Sequence, residues 1–440
     1  MKSLPSIGAA TAGDSYLPGN GNGGYGVDRY ELDIRYRVAT NRLDGTAIIR
    51  ATSTQVLEKF SFDLSRLRVD KLRIEGQRGS TFRQTTNKLT VTPATPIAAD
   101  TPFIVVIEYS GSPVPRPSTW GPVGWEELDD GVLVASQPSG SPSWYPCNDD
   151  VADRASYGIR VVTEQGYTVV GTGVQTRHTV SSGRGYWTFE QAEPTASYLV
   201  TLQIGRYVRT PIELGSVPGA LVYPQGLREG VLADFSKLPV MMELFESSFG
   251  PYPFPAYTVI VTADELEIPL EAQAMAIFGS NHAGGIGLVE RLVAHELAHQ
   301  WFGNSVGLES WKHIWLNEGF ACYAEWLWSE HQGGQSADSL ARQFRRGLVG
   351  QSTDIIVGDP GPVLMFDDRV YKRGALTLHA LRRTIGDEKF FDLVREWTRK
   401  NRFGIVGTDD FRALAAGYSE TPLDELFDAW LFDRPVPRLP

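Results

Sequence analysis

His295-Glu296-Leu297-Ala298-His299 is the stretch on which the reading of this chain turns. Leu292 and Val293 precede it, Trp301 and Phe302 follow, and no Pro or Gly interrupts residues 288–302, so a helix is expected there. Two histidines at i and i+4 lie one turn apart on one helical face. Their imidazoles can converge on one tetrahedral metal ion. Glu296 is turned about 100° from His295, which brings it beside the metal-bound water without making it a ligand. Zn2+, one per chain, is the expected ion, and Glu296 the expected general base.

A catalytic zinc site needs three protein ligands and an open fourth position. The next apolar segment, 315–331, offers Glu318 and Glu325. Alone, Glu318 reads as a first-turn carboxylate facing the helix dipole. Beside a His-Glu-x-x-His helix it reads as the third ligand. Glu325 lies two turns further along the same face, where it can accept an N–H from a ligand imidazole and fix its tautomer. The rival reading for Glu325 is an exposed surface acid.

Working outward, the N-terminal half has a different grammar. Tyr30, Leu32, Ile34, Tyr36 and Val38 alternate with Glu31, Asp33, Arg35 and Arg37. That period of two means one buried and one wet face. Further strands are expected at 47–53, 67–74, 103–109, 157–163, 186–190 and 198–207, punctuated by turn residues. After about residue 206 the pattern becomes helical, around Leu232–Phe245 and then at 288–302, 315–331, 336–349, 371–385, 387–400, 408–416 and 422–432, with a short β-rich run at 257–262. The expected fold class is therefore α+β and multidomain. An N-terminal antiparallel β sandwich or saddle over 1–205 precedes a mostly helical catalytic domain over 206–440.

The chain has 440 residues and a formal net charge of -11, which argues against nonspecific binding to nucleic acid or an anionic membrane. Met1–Gly8 lacks an uninterrupted apolar run, and no stretch approaches a membrane span, so a cytoplasmic protein is expected. Cys147 and Cys322 have no metal-ligand spacing and read as small buried hydrophobes. His178, His282, His313, His331 and His379 likewise have no ligand spacing. Gly19-x-Gly21-x-x-Gly24 matches a dinucleotide fingerprint, but strand-like sequence follows it where a helix is required, so it reads as a lead-in to the first strand.

His-Glu-x-x-His, eighteen residues, then Glu within Leu316-Asn317-Glu318-Gly319-Phe320-Ala321 resembles the gluzincin aminopeptidases of the aminopeptidase N and leukotriene hydrolase family. The segments Trp144–Asp149, Phe249–Phe254, Val370–Ala375, Trp430–Phe432 and Pro435–Pro437 are similar to that family's too, with Arg373 where the family has Lys. The resemblance implies a thermolysin-like catalytic domain, peptide substrates and N-terminal hydrolysis. It further implies that Tyr371 donates to the oxyanion and that Glu271 holds the substrate's free α-amine. Only the Glu of the family's Gly-x-Met-Glu-Asn element survives, in Ile268-Pro269-Leu270-Glu271-Ala272-Gln273. A second anchor, two residues after Gln137, is here Ser139, which cannot balance an ammonium charge, so Gln137 is at most an aid to Glu271. Many relatives continue into further domains, and a more open cleft is expected here. Two alternatives stay open on the same residues: an endopeptidase or another hydrolase such as an epoxide hydrolase, and a noncatalytic scaffold. The preferred N-terminal residue and the oligomeric state are not legible.

Overall fold

The computed structural model describes residues 6–287 and 289–440; the reading of Met1–Pro5 and the place of Leu288 in the expected helix lie outside them. The chain forms two compact units. One reaches to Val208 and takes in Tyr223–Gln225 and Thr262–Asp264; the other holds Arg209–Val222, Gly226–Val261 and Glu265–Pro440.

The first unit is β throughout. Its alternating strand runs Tyr25–Arg37 and packs antiparallel against Arg42–Ser53, turning through Asn41 in the left-handed region at φ 42°. The seven-stranded sheet around them is not wholly antiparallel, as expected from sequence, but mixed. Tyr25–Arg37 lies parallel to Arg154–Glu164, with Tyr30 opposite Tyr157. A parallel pair needs a long crossover, and the intervening residues supply it, forming further strands of the same sheet, a three-stranded sheet and three strands of a five-stranded one. The register stacks the Tyr30 and Tyr157 rings at 4.9 Å, in a core that includes Trp125, Trp144 and Tyr145. The expected strand at 198–207 is broken: a short 3-10 turn at Ser197–Leu199 precedes Leu202–Gly205, and a new strand starts at Tyr207.

The second unit is less purely helical than its sequence suggests. A five-stranded sheet runs in the order Tyr207–Leu214, Val217–Pro224, Tyr257–Val261, Met275–Phe278, Leu270–Ala272. Its centre is parallel, and its last strand is an antiparallel edge. Tyr257–Val261 is the β-rich run expected at 257–262; Met275–Phe278, buried at every position, carries no alternation from which a strand can be read.

Three helices matter for the site: α1 (Glu290–Ala298), α2 (Trp315–His331) and α3 (Asp368–Ile385). α3 starts three residues before the expected 371 because Asp367 caps it, accepting from the Arg369 N–H at 3.0 Å. The expected helix at 422–432 is α only over Asp424–Phe427 and winds into a π-helix at Asp428–Phe432. Buried Arg373 explains how that segment ends. Its guanidinium donates to the carbonyls of Ala429, Trp430, Arg434 and Pro435 at 2.7–3.1 Å. A lysine, with one ammonium, has no such fork.

Candidate metal centre

α1 ends one residue before His299, yet His299 keeps right-handed helical dihedrals and its N–H donates to the His295 carbonyl at 3.2 Å. The i, i+4 relation of the two imidazoles therefore survives the helix end. Each ring is fixed through its Nδ1: that of His295 meets Glu325 Oε1 at 2.8 Å, and that of His299 meets the Phe302 carbonyl at 3.1 Å. Both Nε2 atoms are left turned towards Glu318 Oε2, at 3.5 Å and 3.4 Å. Ligands 2.0–2.2 Å from a tetrahedral zinc lie about 3.3–3.6 Å from one another. These two contacts match that edge length, and all three ligand atoms fall within 4.8 Å of each other. Among the described residues this is the one His/Cys/Asp/Glu group so arranged.

The electrostatics favour a cation at the centre. Burial alone would lower both imidazoles. Glu318 acts on each, together with Glu325 on His295 and Glu271 on His299, and these carboxylates hold them up at about 9 and about 10. Burial would raise Glu318, but the facing imidazoles hold it down at about 2. A divalent ion replacing the imidazole protons meets the same negative charge.

Glu296 stands beside this group and is 4% exposed. Burial pushes its carboxyl up to about 7, against the pull of His295 and His299. Its Oε2 has no hydrogen-bond partner. Tyr371, in the first turn of α3, lays its ring nearly parallel to that of His295 at 5.9 Å. Burial, then the charges of Glu318, Glu271 and Glu296, keeps its phenol well above the usual range. Glu271 lies on the edge strand opposite Ala276 and is part-buried. Burial raises its carboxyl, and His299 pulls it down. Glu325 is buried, not a surface acid. The sequence thus named seven residues that the second unit gathers: His295, Glu296, His299, Glu318, Glu325, Glu271 and Tyr371. Gln137 belongs to the other unit, just after the strand Gly131–Ala135 and before a cis peptide bond to Pro138.

Several positioning features were not read from sequence. Gln300 donates to the carbonyls of Ala272 and Met275 at 3.3 and 3.1 Å, and Asn304 to that of Ala272 at 2.8 Å. These amides tie the Glu271 strand to the segment that follows the paired histidines. Gly319 and Gly374 let α2 and α3 cross in contact: a Cβ on Gly319 would meet Gly374 backbone at 2.9 Å, and one on Gly374 would meet the Gly319 Cα at 2.8 Å. This contact lies one residue from Glu318 and three from Tyr371. Gly319→Ala should therefore destabilise the protein by about 1–3 kcal/mol through overpacking, outweighing the roughly 1 kcal/mol that alanine gains over glycine in a helix. A thermal midpoint at or above that of the parent would refute the contact.

Comparison with known proteins gives two family matches: the peptidase family M1 domain over residues 234–430 and the peptidase M1 N-terminal domain over 27–199. The glutamyl aminopeptidase of Bos taurus is 27% identical over 319 residues, 67% of this chain and 33% of its own length. The leucyl aminopeptidase of Saccharolobus solfataricus is 25% identical over 419 residues, 89% of this chain and 52% of its own. The chain thus spans about a third to a half of these relatives. An M1 zinc metallopeptidase from Deinococcus radiodurans is matched over nearly its full length: TM-score 0.89, 28% identity, 98% of this chain and 99% of that one. A glutamate-to-alanine mutant of that protein, bound to a Tyr-Ser-Ala substrate, gives a TM-score of 0.90.

Proposed function

The chain belongs to the M1 peptidase family, and from that premise we propose that it is a zinc aminopeptidase that hydrolyses the N-terminal peptide bond of peptides. The observation that carries the reading is the convergence of His295, His299 and Glu318 at tetrahedral-edge distances. These three residues would hold the zinc, which would supply Lewis-acid chemistry, making a water acidic near neutrality and polarising the scissile carbonyl. Glu296 takes the water's proton and passes it to the leaving amine. Tyr371 donates to the oxyanion that develops on the scissile carbonyl. Glu271 pairs with the α-ammonium and so sets which peptide bond reaches the reacting centre, a positioning effect. Glu325 holds the His295 ring through its 2.8 Å contact. Gln137 is proposed only as an aid to Glu271.

The two domains are proposed to divide at 205/206. No helix among the described residues is long and apolar enough to cross a membrane. The proposed compartment is the cytoplasm, supported by two cysteines that are both buried and unpaired.

An aminopeptidase must distinguish a free amine from a blocked one. The purified protein should cleave a free peptide and leave its N-acetylated form intact, and chelation should abolish the activity. Glu271→Ala should raise KM for free peptides and narrow the gap between the two forms. Equal cleavage of both forms by the parent protein would favour the endopeptidase reading of the same site. No hydrolysis by zinc-loaded protein would favour the scaffold.

A further inference from the structure

Arg291 and His295 of α1 and its C-cap residue His299 form one stripe facing α2, each four apart. His295 and His299 point at Glu318. Arg291 and His295 point at Glu325, seven residues further along α2. The carboxylate of Glu325 is thus held at both ends: Oε1 meets His295 Nδ1 at 2.8 Å, and Oε2 accepts from the Arg291 guanidinium at 2.9 Å.

The two imidazoles are fixed by different means. His299 rests on a backbone carbonyl, which cannot rotate away. His295 rests on a side chain with three rotatable bonds. A carboxylate bonded at one oxygen can swing about its terminal torsion, which is soft. A carboxylate bonded at both oxygens has its plane set. Lys372 adds positive charge nearby from α3, but its Nζ is directed at Cys322 Sγ at 3.4 Å. Arg291 is the cation that bonds the carboxylate. Its own side chain is 59% exposed while that of Glu325 is 4% exposed. The contact therefore runs from solvent to a ligand imidazole through one buried group.

We infer that Arg291 is a positioning residue for the metal site, acting on His295 through Glu325. The inference rests on the zinc reading of the site. It assigns to an exposed arginine, which touches neither the ligand atoms nor the expected base, a share of the site's hold on the ion.

The test uses the full chain loaded with zinc. Zinc affinity is measured by competition with a chromogenic chelator for the parent, Arg291→Met, Arg291→Lys, Glu325→Gln and the Arg291→Met/Glu325→Gln double variant. Thermal midpoints are taken on the metal-free proteins. Arg291→Met should lose about tenfold in affinity, the lower end of what outer partners of metal ligands contribute. Arg291→Lys should recover most of that loss. On the Glu325→Gln background, Arg291→Met should have no further effect, because the path it acts through is already cut. The metal-free midpoint should stay at the parent value. Unchanged affinity in Arg291→Met, an equal loss on both backgrounds, or a lowered metal-free midpoint would each overturn the inference. A parent protein that binds no zinc would instead remove the functional reading beneath it, so the two failures are distinguishable.

Discussion

Glu296→Gln should retain zinc at the parent stoichiometry and lower kcat by about 10²–10⁴, the contribution of a positioned general base. The substitution keeps the shape of the side chain and removes its capacity to take a proton. Three features support that role. Glu296 follows His295 directly and is turned about 100° from it round the helix, so it stands beside the site without sharing the coordination. It is buried, with one oxygen uncommitted to any protein donor. Burial pushes its carboxyl up to about 7, where it accepts and releases protons near neutrality. The working form is the ionised carboxylate, so the rate should fall as pH drops through its pKa. A divalent ion beside it favours ionisation, which sets the acid limb at or below about pH 7. Parent-like kcat with zinc bound would show that another group takes the proton.

The metal chemistry was legible in sequence because helical geometry links spacing to direction. Once 288–302 is read as helix, His295 and His299 must face one way, and a buried acid in the next apolar helix has few other reasons to exist. What was not legible is how the elements meet. Gly319 and Gly374 are fifty-five positions apart, and their contact exists only because α2 and α3 cross there. Arg291 reads as an ordinary surface charge until α2 brings Glu325 to it. Of the sheet in the second unit, the β-rich run at 257–262 was legible and is the strand Tyr257–Val261; Met275–Phe278 was not, because it is short and buried at every position, which erases the period of two. The parallel Tyr30–Tyr157 register was hidden for another reason: alternation shows that a strand has a wet face, and says nothing about which neighbour it takes or in which direction.

The substrate end divides in the same way. Glu271 was placed in sequence by position within a motif whose three other specified positions, here Ile268, Leu270 and Ala272, all differ from the family's. In the structure its strand is a three-residue edge, too short to hold itself. The amides of Gln300 and Asn304 both donate to its Ala272 carbonyl, and Gln300 also bonds that of Met275 on the neighbouring strand. One continuous stretch of chain therefore serves both ends of the proposed site: residues 295–299 carry two of the three proposed ligands and the proposed base, and Gln300 and Asn304 hold the strand of Glu271, the proposed amine anchor.

Tyr371→Phe should lower kcat by about 10²–10³ while leaving KM and zinc content near the parent values. That range is the usual effect of removing one donor to an oxyanion. The split follows from when the bond forms: a donor aimed at charge that develops in the transition state contributes little to ground-state binding. Phenylalanine keeps the ring, and hence the nearly parallel packing on His295 at 5.9 Å, so the ligand should not be disturbed. The phenol is suited to donate and not to ionise. Burial, then three nearby carboxylates, holds it well above the ordinary tyrosine range, so it keeps its proton at neutral pH. The basic limb of the parent pH profile should accordingly not report Tyr371, and Tyr371→Phe should lower the profile without moving its limbs. A loss confined to KM would make Tyr371 a substrate contact, and a loss of zinc would make it a support for His295. Only a fall in kcat with both held constant fits an oxyanion donor.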